Sequence, residues 1–128
     1  MPTPIHPYAA ARSIAIVDPD PAVRHSLEFA LQTEGYDVVS FAQGKDLLAD
    51  MRQNLRCVIS EYRLADMTGL DLIGKVREIQ HDASFVLLVT CPDRVLQRRA
   101  LAEKVTIVEK PLVGSKLTDE LRQITKPV

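Results

Sequence analysis

From Ser13 onward the chain repeats one pattern five times: a short apolar, β-branched run, then a segment with helical spacing. The runs are 13–17 (SIAIV), 36–41 (YDVVSF), 57–60 (CVIS), 85–90 (FVLLVT) and 105–108 (VTIV). Four of them are nearly continuous in apolar residues, with little alternation between inward and outward positions. That is the pattern of strands buried on both faces, as in a parallel sheet covered by helices. The second run carries Asp37 and Ser40 and reads as an edge strand. Strands alternating with helices predict a three-layer α/β/α sandwich with right-handed crossovers.

The intervening segments carry helix signatures. Asp20-Pro21 supplies an N-cap followed by a first-turn proline, whose missing N–H has no helical partner to lose. Val23, Leu27, Ala30 and Leu31 then share a face, and Gly35 ends the helix as a left-handed residue. Thr68-Gly69-Leu70-Asp71 resembles a capping box ahead of the stripe Leu72, Ile73, Val76 and Ile79. Ser115 caps a last helix with Leu117, Leu121 and Ile124 on its apolar face. The segments 45–52 and 94–103 are shorter helices.

The 128 residues make one domain, large enough to bury a core. Residues 1–12, with three prolines in the first seven positions, read as a flexible tail. Residues 13–125 form the domain, and 126–128 a tail or the start of a linker. Net charge is −1, so no global positive field steers the chain onto nucleic acid or anionic lipid. The apolar runs are too short to span a membrane. The N-terminus lacks a basic region followed by an apolar stretch, and Cys57 and Cys91 read as reduced thiols, so a cytoplasmic protein is expected.

In a sheet of this kind ligands bind beyond the carboxyl ends of the strands. Asp18 follows the first strand, Glu61 the third, Thr90 ends the fourth, and Lys110 lies just past the fifth. Two carboxylates, a hydroxyl and an ammonium from four chain segments should therefore converge. His6, His25 and His81 have no metal-ligand spacing.

Those residues, in the stretches Ile16-Val17-Asp18-Pro19-Asp20, Glu61-Tyr62-Arg63-Leu64-Ala65-Asp66-Met67-Thr68-Gly69, Val89-Thr90 and Val108-Glu109-Lys110-Pro111, resemble the receiver domain of bacterial two-component response regulators, the CheY-like family. The resemblance runs from Ser13 to Ile124. It implies a flavodoxin-like five-stranded parallel sheet in the order 2-1-3-4-5, a signalling role and no enzyme activity. The first helix and the loop around Met67 are similar to receivers fused to DNA-binding output domains.

The family's site needs an acidic pair after strand one for Mg²⁺, a phosphoacceptor aspartate after strand three, and a hydroxyl and a lysine for the phosphoryl oxygens. Asp18 matches the first acid, but Pro19 stands at the second. Counting back from Gly69, Glu61 occupies the acceptor position, and Ala65 replaces the loop proline. Thr90 and Lys110 match, and Lys110-Pro111 resembles the family's Lys-Pro step, often a cis bond. The switch position, usually aromatic, holds Ile107.

Mg²⁺ demands near-octahedral oxygen geometry, and phosphoryl transfer depends on positioning. Displacing the nucleophile by about an ångström costs roughly 10²-fold in rate. Mg²⁺ binding is therefore expected to be weak or absent, with at most a residual site at Asp18 and Glu61 and no other cofactor. Glu61 either mimics a phosphoryl group towards Thr90 and Lys110, or simply pairs with Lys110. The missing aromatic at 107 and the smaller charge of a carboxylate favour the simple pair.

The expected function is that of a degenerate receiver, a phosphorylation-independent interaction module in phosphorelay-type regulation. Two rival readings remain: phosphoacceptance on a non-standard acid (Asp18, Asp66 or Glu61), and a nucleotide- or flavin-binding domain. The latter lacks a Gly-rich loop after strand one. The resemblance implies a protein partner or homodimer on the face of helix four, strand five and helix five, and a histidine kinase or fused output domain as partners, with no direct nucleic-acid contact. Arg94, Arg98, Arg99 and Lys104 are the candidate partner residues. The span between Thr90 and Lys110 is short for the family, so the fourth helix is expected to be reduced or irregular. Cys91 is expected to be a quiet, partly buried thiol rather than a reactive one.

Overall fold

The computed structural model describes residues 13–51, 55–80, 82–112 and 116–125. The tail expected over 1–12, the end at 126–128, the Ser115 cap, His6 and His81 lie outside them. Five strands, β1 (Ser13–Val17), β2 (Asp37–Phe41), β3 (Cys57–Glu61), β4 (Ser84–Val89) and β5 (Thr106–Glu109), alternate with five helices. These are α1 (Pro21–Thr33), α2 (Gly44–Ala49), α3 (Gly69–Ile79), α4 (Arg94–Ala102) and α5 (Lys116–Thr125). All strands pair in parallel, in the order β2-β1-β3-β4-β5.

The continuous apolar runs have a direct cause. Alternate residues of a strand face opposite sides, and here both sides are packed. Ala15, Val17, Val58, Phe85, Leu87 and Val89 meet Leu47, Ile73, Val76, Leu96 and Ala100 of α2, α3 and α4. Ile14, Ile16, Cys57, Ile59, Val86, Leu88 and Val108 meet Leu27 and Leu31 of α1 and Leu117 and Leu121 of α5. β2 is an edge strand as its polarity suggested. β5 is the other edge, and Val108 alone in it is fully buried.

Local signatures place the helix ends. The Asp20 carboxylate accepts from the Ala22 N–H, with Pro21 in the first turn. Gly35, at φ 96°, lets the Tyr36 N–H reach the Leu31 carbonyl and its own N–H reach Gln32, closing α1. At α3, Thr68 and Asp71 exchange the two hydrogen bonds of a capping box.

Three expectations need correction. Ala30 and Ile79 are exposed, because each falls on the outer flank of its helix's apolar stripe. The fourth helix is regular over nine residues, capped by Asp93 onto the Leu96 N–H. Among the described residues no helix is long and apolar enough to cross a membrane.

Candidate functional site

Parallel strands deliver their carboxyl ends to one rim of the sheet, and the polar residues following them meet there. Asp18 follows β1 with only 1% of its surface exposed. Its N–H donates to the Phe41 carbonyl of β2, which continues the ladder and turns the carboxylate inward. Glu61 ends β3, and the Lys110 N–H, just beyond β5, donates to the Val89 carbonyl of β4. The Lys110–Pro111 bond is cis.

The Lys110 ammonium bridges the two acids, 3.0 Å from Asp18 Oδ2 and 2.6 Å from Glu61 Oε1. The remaining oxygens are also engaged. Asp18 Oδ1 accepts from the Asp20 N–H at 2.9 Å, and Glu61 Oε2 from the Arg63 N–H at 2.9 Å. Burial works against the lysine's charge, but the hydrogen bonds and charges of Glu61 and Asp18 outweigh it and hold its pKa above the ordinary value. Chemically this is a hydrogen-bonded triad in which one ammonium serves two carboxylates, leaving one net negative charge.

Asp18, Glu61, Thr90 and Lys110 line one cavity of about 440 Å³. Thr90 is nevertheless exposed, and among the described residues it makes no hydrogen bond to the triad. Cys91, beside it, is also exposed and adopts a left-handed φ of 52°. The expectation of a partly buried thiol there is corrected: the tight turn out of β4 swings the residue into solvent. Ile107 is half-buried against the α2–α3–α4 side of the core.

Two neighbours were not legible as site residues. The Arg24 guanidinium donates to the Asp18 carbonyl at 2.7 Å, pinning the loop after β1 from the first turns of α1. Gly69 donates its N–H to the Tyr62 carbonyl at 2.7 Å, and a Cβ there would lie 2.6 Å from the Glu61 carbonyl oxygen. Its lack of a side chain lets α3 start against the end of β3.

Asp66, one of the alternative acceptors, lies away from the cavity. Its carboxylate accepts from the Gly44 and Lys45 N–H groups at 3.1 and 2.8 Å and caps α2, whose own N-cap residue Gln43 supplies no side-chain bond. Its pKa is lowered: slight desolvation pushes it up, but the bonds from Lys45 and Gly44 and the Lys45 charge prevail. Of the four candidate cations on and beside α4, Arg99 separates from the rest. It pairs with Glu103 at 3.3 Å and faces the cavity, whereas Arg94, Arg98 and Lys104 stand in solvent. Among the described residues no group of three His, Cys, Asp or Glu side chains could hold a metal ion.

Comparison with known proteins agrees with this geometry. The chain is 26% identical over 117 residues to the C4-dicarboxylate transport transcriptional regulatory protein DctD of Rhizobium meliloti, covering 90% of this chain and 25% of that protein. It is 32% identical over 89 residues to the probable transcriptional regulatory protein TcrX of Mycobacterium tuberculosis, covering 69% and 38%. The chain thus spans well under two thirds of the length of these relatives. The non-phosphorylated HemR receiver domain from Leptospira biflexa superposes with a TM-score of 0.84 at 19% identity, covering 91% of this chain and 95% of that one. A CheY-like receiver domain protein from Methanospirillum hungatei gives 0.82 at 22% identity, covering 89% and 93%. At these identities the likeness shows the fold. The response regulator receiver domain family model matches residues 14–122, most of the 128-residue chain, and the chain belongs to that family of signal-transduction domains.

Proposed function

We propose that this receiver domain is silent as a phosphoacceptor and acts through protein contacts. The observation that carries this reading is the triad. Glu61 stands where the family places its acceptor aspartate, and Lys110 already pairs with it and with Asp18. Mg²⁺ fits this donor set poorly. Pro19 contributes no carboxylate, and every oxygen of Asp18 and Glu61 already accepts a hydrogen bond from protein. Removing the ammonium from that pair to admit a cation would cost a strong charge-assisted contact. Thr90 lines the same cavity but makes no hydrogen bond to Glu61, so the simple ion pair describes the site better than phosphoryl mimicry. The relatives are transcriptional regulators several times longer in some cases, which supports a role ahead of an output domain in gene regulation, with a kinase or output module as partner.

The test is intact-mass spectrometry after incubation with acetyl phosphate and Mg²⁺, beside a Pro19→Asp/Glu61→Asp double variant. No adduct on the wild type, with a labile phosphate on the double variant, is the expected result. A labile phosphate on the wild type would overturn the reading.

A further inference from the structure

α1 and α5 lie on the same face of the sheet, with Leu27, Leu31, Leu117 and Leu121 packed on its strands. Each helix follows a strand and runs back, so both begin at the carboxyl rim. Farther along, the Arg122 guanidinium of α5 holds the Glu34 carboxylate, just past α1, at 2.6 Å. At the carboxyl rim the two helices stand apart and leave a cavity of about 670 Å³. Val23, Leu27 and Leu31, spaced by four along one side of α1, line it together with Leu112 and Leu117. Leu27, Leu31 and Leu117 are buried, so the cavity has an aliphatic floor that belongs to the core. Its volume falls in the range of small-molecule sites, about 300–1,000 Å³. This cavity meets the one that holds the triad, because Asp20, Thr90 and Lys110 line both. An ammonium has three donors, and Lys110 Nζ gives two of them to Asp18 and Glu61. The third, and the Thr90 hydroxyl, have no partner among the described residues. An aliphatic cavity thus ends at two uncommitted donors.

We infer that the cavity between α1 and α5 binds a small neutral amphiphile. Its hydrocarbon body covers the leucines, and a carbonyl oxygen at its head accepts from the Thr90 hydroxyl and the third Lys110 N–H. The charge around the head selects neutrality. Asp18, Glu61 and Lys110 together carry one net negative charge, and Asp20 stands beside them. A carboxylate head would be repelled by these acids. An ammonium head would face Lys110, while every carboxylate oxygen of the triad already accepts from protein. A neutral carbonyl satisfies both donors and adds no charge. Exposed Ala30 also lines the cavity, so the apolar stripe of α1 is wider than the protein itself covers. The inference goes beyond the reading of the domain as a contact module. It is independent of whether the triad accepts phosphate, so either can fail alone.

The test titrates the isotope-labelled full chain with octanamide, octanoate and octylamine at neutral pH, followed by two-dimensional amide NMR. The three probes share a hydrocarbon body and differ in the charge of the head. Octanamide should shift the amides of Val23, Leu27, Thr90 and Leu112 saturably, with a Kd on the order of 1 mM for so small a ligand. Octanoate and octylamine should bind about tenfold more weakly or not at all. Thr90→Val should weaken octanamide about three- to tenfold. Ala30→Phe, which fills the cavity from an exposed position, should abolish binding. Phe29→Ala removes an exposed ring of α1 that does not line the cavity, and should change affinity by less than about twofold. The strand amides in the same spectra report that each variant folds. The absence of saturable shifts at these residues with octanamide overturns the inference, as does equal affinity for octanoate or octylamine. So does binding that survives Ala30→Phe or is unchanged in Thr90→Val, or a concentration-dependent dimer that shifts the same amides without any probe.

Discussion

Replacing Lys110 with methionine keeps most of the aliphatic stem and removes the ammonium that Asp18 and Glu61 share. Each carboxylate lies within hydrogen-bond reach of that one nitrogen, so the two are no more than about 6 Å apart. At an effective dielectric of about 20, two unit charges ~5 Å apart repel by about 3 kcal/mol. Protonation sets a ceiling on the loss. Loading one proton at pH 7 onto a carboxyl that titrates near about 4 in a free peptide costs about 4 kcal/mol, and at pH 5 only about 1.4 kcal/mol. Lys110→Met should therefore lose about 3 kcal/mol of stability at pH 7 and about 1 kcal/mol at pH 5. Adding Glu61→Gln in the same background should restore most of the pH 7 loss, because a single carboxylate has no neighbour to repel. In the wild type the lysine's contribution does not change between pH 5 and 7 and falls only at alkaline pH. A lysine pKa held above its unfolded value gives stability that is complete below about pH 10.4 and is lost as the pH rises through the raised folded value. Urea unfolding followed by far-ultraviolet circular dichroism measures these differences, since the chain has no tryptophan to report them. A Lys110→Met loss below about 1 kcal/mol at pH 7, or one that does not shrink by pH 5, refutes the account of two carboxylates held together by one ammonium.

Gly69→Ala should cost about 2–3 kcal/mol in the same assay, because the new Cβ would meet Leu87 Cδ1 at 2.5 Å and the Glu61 carbonyl oxygen at 2.6 Å. A loss within about 0.5 kcal/mol would show that the start of α3 can shift outward freely. The two cysteines should separate cleanly in a thiol-labelling assay at pH 8. Exposed Cys91 reacts in the native protein, while Cys57 is buried with its thiol pushed up to about 12 and reacts only after denaturation. Native labelling of Cys57 would contradict the packing of β3.

Much of the fold is legible because both helical layers leave their mark on the strands. A strand such as FVLLV, apolar at every position, has nowhere to go but the middle of a covered parallel sheet. Capping chemistry is equally direct: Asp20-Pro21, Gly35 and the Thr68–Asp71 box each act within a few residues of themselves. The convergence of Asp18, Glu61 and Lys110 follows from topology, since each stands at the carboxyl end of a strand. Thr90 reaches the same cavity from the end of β4 but makes no hydrogen bond to the triad, and the left-handed backbone of Cys91 just after it is announced by no local signal. Arg24 and the capping role of Asp66 have no sequence signal because their bonds run to the Asp18 carbonyl and to the Gly44 and Lys45 amides. Backbone partners in another loop leave no pattern in side-chain identity. The division of the α4 cations is a matter of helical phase: Arg98 and Arg99 differ by one residue, and so face different surroundings.

The Asp66 cap ties together two connections that sequence order keeps apart. The loop that leaves Glu61 is closed by the Leu64 N–H on the Met67 carbonyl, and from its tip Asp66 supplies the bonds that the six-residue α2 cannot make for itself. A helix so short has little cooperativity of its own. Its first amides should therefore be protected only while the neighbouring loop is closed, and α2 and the 62–68 loop are expected to open together in hydrogen exchange. Whatever loosens the chain just after Glu61 thereby unravels the start of the helix that precedes β3.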